Sequence, residues 1–147
     1  MTQISILYPV FVQVALTLFL QGWMRKERIG SIRRGEVKIE SISLREPNWT
    51  PRATQIANAF HNQLETPMLF YVLVAFLMIT TQVNVFFVVL AWLFVAARVY
   101  HAYIHTTSNK QPNRFYGYAV GSAILAVMWI LFAIRILFFT LGGDRAI

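Results

Sequence analysis

Residues 83–105 read VNVFFVVLAWLFVAARVYHAYIH, and this stretch decides the fold. From Val85 to Ala97 no side chain is charged and none is an amide. Such a run suits the hydrocarbon core of a bilayer, which an α-helix crosses in about 20 residues. Arg98, His101 and His105 follow at i, i+3 and i+7, so they share one face of the helix. An ionisable residue at mid-bilayer costs about 2.5–3.5 kcal/mol on insertion scales, so it is kept for packing or function and turns toward neighbouring helices. The stretch predicts a membrane span with a polar end.

Three further apolar segments flank it. Ile4 to Met24 carries no charge before Arg25, with Pro9 in the first turn, where a missing N–H costs little. Its basic flank follows the apolar run and no small-residue cleavage site is present, so it reads as a retained signal-anchor-like span. Thr66 to Thr81 is apolar but short. The stretch before it, Arg52 to Glu65, is two-faced: Ile56, Ala59, Phe60 and Leu64 keep helical spacing, with Asn58, His61, Asn62 and Glu65 on the other side. Together they predict one long helix, polar-striped in its first half, with Pro67 producing a bend or local break. The last segment ends at Gly142-Gly143, an expected C-cap.

Composition agrees. The 147 residues are 57% hydrophobic and only 13% charged, with a mean hydropathy of +0.55, which excludes an ordinary soluble domain and a disordered tail. The expected fold is all-α: an integral membrane four-helix bundle, left-handed and up-down. It forms a single domain over 1–147, with spans at about 4–24, 55–81, 83–107 and 113–141 and a loop at about 25–52. Cysteine is absent, which excludes disulfides, thiolate metal sites and a cysteine nucleophile; any thiol chemistry uses a thiol from another molecule. The net charge of +7 does not indicate nucleic acid, because the basic residues cluster at the ends of apolar runs.

Those basic residues predict orientation. Arg25, Lys26, Arg28, Arg33, Arg34, Lys38, Arg45 and Arg52 lie in the first joint, Lys110 and Arg114 in the third, and only Arg135 and Arg145 on the other side. The positive-inside rule puts both long joints in the cytoplasm and both termini opposite. The first joint also holds Glu27, Glu36, Glu40 and Glu46. Within it Val37-Lys-Ile-Glu40 alternates like a short strand and Arg34-Gly35 looks like a turn. It reads as a structured interfacial loop held by headgroups, with a lid over a ligand mouth as the alternative.

Glu65 shares a face with Asn58 and Asn62. By rise per residue it lies about 20 Å along its helix from Arg52, and Arg98 about 16 Å from Asn109, which makes a Glu65–Arg98 ion pair plausible. Arg114 and Tyr118 add a third helix at the same end. Glu65 and Arg98 alone could equally be interhelical glue; with His101, His105, Arg114 and Tyr118 the set favours a polar ligand site. Zinc is disfavoured, since only one acid stands by on another helix. Gly117 and Gly121 form a GxxxG patch, read as close helix packing within or between subunits, with substrate access as the alternative. Arg135 snorkels to the headgroups, and most of the twelve Phe and four Trp face lipid or anchor the interface.

Two motifs resemble the MAPEG family, the membrane-associated proteins in eicosanoid and glutathione metabolism. Asn62-Gln-Leu-Glu65-Thr-Pro67 is similar to the family's Asn-x-x-Glu followed by Pro. Arg98-Val-Tyr-His101-Ala-Tyr-Ile-His105, then Pro112-Asn-Arg114-Phe-Tyr-Gly-Tyr118, resembles the pattern of its prostaglandin-forming branch. The resemblance covers nearly the whole chain. It implies a homotrimer with glutathione bound between subunits and open to the cytoplasm. Asn62 and Glu65 would hold the glutathione backbone, Arg98 would brace Glu65 or a carboxylate, His101 and Tyr118 would contact the tripeptide, and Arg114 would stabilise its thiolate. The sequence departs from the family where Asn58 replaces a usual Arg, removing one positive contact, and where His105 replaces a usual Tyr. The implied activity is a glutathione transferase or peroxidase acting on hydrophobic electrophiles or lipid hydroperoxides that arrive through the bilayer. The alternatives are a non-catalytic lipid- or partner-binding protein on the same scaffold and, less favoured because the outer halves of the spans are apolar, a small transporter.

Overall fold

The computed structural model describes residues 3–43 and 48–143, with side chains as far as Phe138. Arg45, Glu46 and Arg145, counted among the charges above, lie outside them. A 3-10 turn, Gln3–Ile6, leads into α1 (Leu7–Arg33); α2 (Pro51–His61) and α3 (Thr66–Ile79) follow, then α4 (Val85–Thr106) and α5 (Gln111–Gly143). Four stretches are long and apolar enough to cross a membrane: Gln3–Arg33, Pro51–Ile79, Val85–Thr106 and Gln111–Phe138. The protein is an integral, multi-pass, all-helical membrane bundle.

The helix starts follow local chemistry. Thr50 Oγ1 accepts from the Ala53 N–H at 3.3 Å ahead of Pro51, and Asn84 Oδ1 accepts from the Phe87 N–H at 3.1 Å. α1 does not stop where its apolar run ends. It continues through Arg25–Arg33, where Arg25, Lys26, Glu27 and Arg28 favour helix, with Trp23 Nε1 donating to Glu27 Oε1 one turn on at 3.0 Å. It then ends in a Schellman motif. Gly35 takes φ +71, its N–H donates to the Ile32 carbonyl, and the Glu36 N–H donates to the Ser31 carbonyl, each at 3.0 Å. The Arg34-Gly35 turn is therefore a helix cap. Arg34 and Glu36 pair across it at 2.8 Å, which holds the Glu36 carboxyl below its ordinary range.

One local expectation changes. Val37–Glu40 is not a strand: a 3-10 turn spans Ile39–Ile42, with Ser41 Oγ donating to the Lys38 carbonyl at 2.7 Å. Alternation needs a neighbouring strand to take its ladder, and none lies alongside among the described residues, so serine–backbone bonds prevail. Of the bend or local break expected at Pro67, the second crossing shows a break, displaced upstream. After α2 come a 3-10 turn, Asn62–Leu64, and Glu65 at φ −95, ψ −99, before Pro67 enters the first turn of α3. A proline ring clashes with the carbonyl four residues earlier, so the disruption falls upstream, over 63–66. Gly142 and Gly143 are helical, and whatever follows them lies outside the described residues.

The core is apolar at one end and mixed at the other. Phe70, Leu73, Phe87, Phe94, Leu125 and Met128 belong to the large cluster, with the Phe70 and Phe94 rings stacked at 4.7 Å. Leu20, Ala59, Phe60 and Ala102 form a smaller cluster nearer the first joint. Between them Gln13 Nε2 donates to Gln63 Oε1 at 3.0 Å, both side chains fully buried. The helix ends are tied to one another. Arg52 Nη1 donates to the Thr106 carbonyl and Gln55 Nε2 to the His105 carbonyl, each at 2.7 Å, which fixes the level of α2 against α4.

Candidate functional site

At this tied end a pocket of about 450 Å³ opens between α2, α4 and α5. Small-molecule sites span about 300–1,000 Å³. α2 and the break after it contribute Asn58, His61, Asn62 and Glu65; α4 contributes His101 and His105; α5 contributes Gln111, Arg114, Phe115 and Tyr118.

Seven of the eight residues named from sequence line this pocket; Arg98 does not. It lies behind, fully buried, with Nη2 donating to the Asn62 carbonyl at 2.6 Å and its Cζ 5.9 Å from the centre of the Tyr118 ring. The expected Glu65–Arg98 ion pair does not form. Among the described residues the one ion pair is Arg34–Glu36, and Glu65 stands exposed at the pocket. The break explains the difference. The carbonyls of a helix's last turn lack intrahelical partners, so Asn62 offers Arg98 an oxygen, while the non-helical backbone at Glu65 takes its side chain off the stripe that a continuous helix would have made.

α5 approaches α4 closely because Gly117 allows it. A Cβ there would meet Tyr100 Cδ1 at 3.0 Å and the His101 Cα at 3.2 Å; one at Gly121 would sit at an ordinary 3.5 Å from Ala97. The glycine patch is therefore a seam within the chain. The seam brings His101 Nδ1 to 2.9 Å from the Arg114 carbonyl and sets the His101 ring at a tilt 5.9 Å from that of Tyr118. With Nδ1–H donated, Nε2 is left as an acceptor; it is buried and has no partner. Arg114 Nη1 donates to Asn109 Oδ1 at 2.7 Å and lies 3.5 Å from His105 Nε2, whose ring meets His101 edge-on. His105 Nδ1 is also buried and unpartnered.

The sequence reading did not count His61, Gln111 and Phe115 as site residues. Their signal was present: His61 shares the polar side of α2, and Gln111, Arg114, Phe115 and Tyr118 fall at i, i+3, i+4 and i+7 on one face of α5. Among the described residues no group of three or more His, Asp or Glu is placed to hold a metal ion. The described residues of the first joint, 34–43 and 48–50, do not line the pocket; Trp49 instead lies 4.7 Å from Arg28 Cζ, against α1.

Fold and site together define a class: a polytopic helical membrane protein with a polar cleft cut into one end of its bundle. The chain belongs to the MAPEG family, whose model matches residues 6–134. That family includes glutathione transferases and peroxidases as well as non-catalytic members. No individual curated protein matches the chain, and no solved structure does.

Proposed function

We propose that the protein is a membrane-bound glutathione-dependent transferase or peroxidase acting on hydrophobic electrophiles or lipid hydroperoxides. The observation that carries this reading is the convergence of Arg114, His101, His105 and the side chains of Asn58, Asn62 and Glu65 on one pocket from three helices. When bound, glutathione supplies the thiol that a chain without cysteine lacks.

The remaining chemistry belongs to the chain's own residues. Arg114 supplies a guanidinium, and a fixed cation beside a thiol favours the thiolate, which is the nucleophile. Asn109 holds the guanidinium in place at 2.7 Å. The His101 ring forms part of the pocket wall, with a buried Nε2 that has no partner. Asn58, Asn62 and Gln111 offer amide donors to carboxylates and peptide oxygens, and Glu65 faces the cation of an α-amino group. Arg98 acts behind them by anchoring the Asn62 turn.

Asn58, His61 and Glu65 are exposed inside a membrane-crossing stretch, where lipid would leave them unpaired. A neighbouring copy covering this face, in a homotrimer, answers that cost. The bias of basic residues toward the first and third joints supports a pocket opening to the cytoplasm, with both termini on the other side.

Adding glutathione to the purified protein should raise ultraviolet thiolate absorbance, and Arg114→Ala should abolish the signal. Absence of both absorbance and glutathione binding in the wild type would remove this reading. A second reading, a non-catalytic lipid-binding protein, is favoured by two apolar grooves of about 460 and 340 Å³ that share Ala96 and Tyr100 as walls. It expects lipid retained on purification, no turnover, and an Arg114→Ala variant that behaves as wild type.

A further inference from the structure

We propose that the outward face of α1 carries a binding site for an anionic phospholipid, with one acyl chain lying over Gly22 and the phosphate held at Lys26. The site is independent of the glutathione pocket and of the reading given to it. A groove of about 470 Å³ runs along this face, lined by Leu18, Phe19, Gly22, Trp23 and Lys26. These residues form one stripe of the helix, and from Leu18 to Lys26 it climbs about 12 Å.

Gly22 is the floor. A Cβ built there meets nothing within 4 Å, so the missing side chain leaves open space. The Trp23 wall is held from three directions. Phe19 meets it edge-on at 5.7 Å, its Nε1 donates to Glu27 Oε1 at 3.0 Å, and the Arg52 guanidinium lies 5.2 Å from the ring centre. Leu18 and Phe19 are about 60% exposed, an apolar surface suited to hydrocarbon.

Charge selects the occupant. Lys26 closes the groove at the end where the apolar run gives way to the basic joint, the level of the headgroups. Arg25 and Lys26 are exposed and make no ion pair or hydrogen bond among the described residues. The nearest acid in sequence, Glu27, is engaged by Trp23. An apolar trough ending at an uncompensated ammonium complements an acyl chain ending in a phosphate whose charge is not cancelled within its own headgroup.

The test uses the full chain in mild detergent, titrated with phosphatidylglycerol and, in parallel, with phosphatidylcholine of the same acyl chains, and followed by native mass spectrometry. The wild type should bind phosphatidylglycerol more tightly. Lys26→Gln should weaken that binding about fivefold and leave phosphatidylcholine unchanged. Gly22→Leu, a good helix former placed in open space, should weaken both lipids, with circular dichroism and melting reporting an intact fold. Lys38→Gln, in the turn beyond the cap, should change nothing. Equal affinity of the wild type for the two lipids would overturn the proposal, as would binding unmoved by both groove variants. A change in the number of chains per particle on Gly22→Leu would also overturn it, because the face would then be a contact between copies.

Discussion

Gln13 and Gln63 face each other at 3.0 Å with no exposure at all, one from α1 and one from the turn that breaks the second crossing. Removing one partner from a buried bond leaves the other's polar atom stranded, which costs about 1–3 kcal/mol, whereas replacing both can be close to neutral. Gln13→Leu is therefore expected to lower unfolding stability in detergent by about 1–2 kcal/mol, and Gln13→Leu combined with Gln63→Leu to recover most of it. A double-mutant cycle of denaturant melts checks this; a double variant as weak as the sum of the singles would refute it. The pair is not legible from the ionisable residues and the Asn58 and Asn62 stripe, although a lone glutamine in an apolar span carries the same signal in weaker form. At the cap of α1, the Arg34–Glu36 pair gives a sign for pH. Glu36 titrates below its ordinary value of 4.5, so the contribution of the pair is present above that value and is lost as pH falls through the lowered one. Carboxyl NMR should find its midpoint below that of the Arg34→Ala variant. Both side chains are exposed, so the global melting point should barely follow.

Among the elements, α4 and α5 depend on a single glycine for their separation. At Gly117 a methyl group would press on the Tyr100 ring and the His101 backbone, and backbone cannot move aside cheaply; at Gly121 the same methyl finds ordinary contact. Gly117→Ala should lower the melting point and loosen the His101–Arg114 contact, at a cost of about 1–3 kcal/mol, while Gly121→Ala should be neutral or slightly stabilising. The helices themselves were legible in the sequence as apolar runs with charged flanks, whereas the caps at Thr50 and Asn84 that fix two of their starts were not read there. The break was legible only as a proline. Its displacement to Glu65 depends on the clash upstream of the ring and on Arg98 meeting the Asn62 carbonyl from another helix, and neither is a local pattern. The Val37–Glu40 alternation misled because four residues of period two mean little without a partner to pair with.

For the whole molecule, the site was legible as a level and not as a direction. Rise per residue set Glu65 and Arg98 at similar depth, but the direction of Glu65 follows from the break, and Arg98 bonds the Asn62 carbonyl instead. Seven of the eight residues nevertheless met in one pocket, because the three polar stripes lie at the end where the Arg52 and Gln55 ties hold the helices level. Asn58, His61 and Glu65 remain uncovered in a single chain. The mass of the detergent-extracted protein should accordingly correspond to three chains. Charge repulsion introduced by Asn58→Glu should shift the population toward monomer; a wild type that is monomeric in a bilayer mimetic would contradict the assembly.

Arg98 has a consequence for how the protein is made. Its guanidinium is sealed from solvent and bonded to a main-chain oxygen contributed by the preceding crossing. During synthesis, the hydrophobic stretch bearing this charge cannot be released sideways into oil at low cost until that earlier segment is already beside it. Integration of the two is thereby coupled, and because the acceptor is backbone, the residue at position 62 can drift without undoing the coupling.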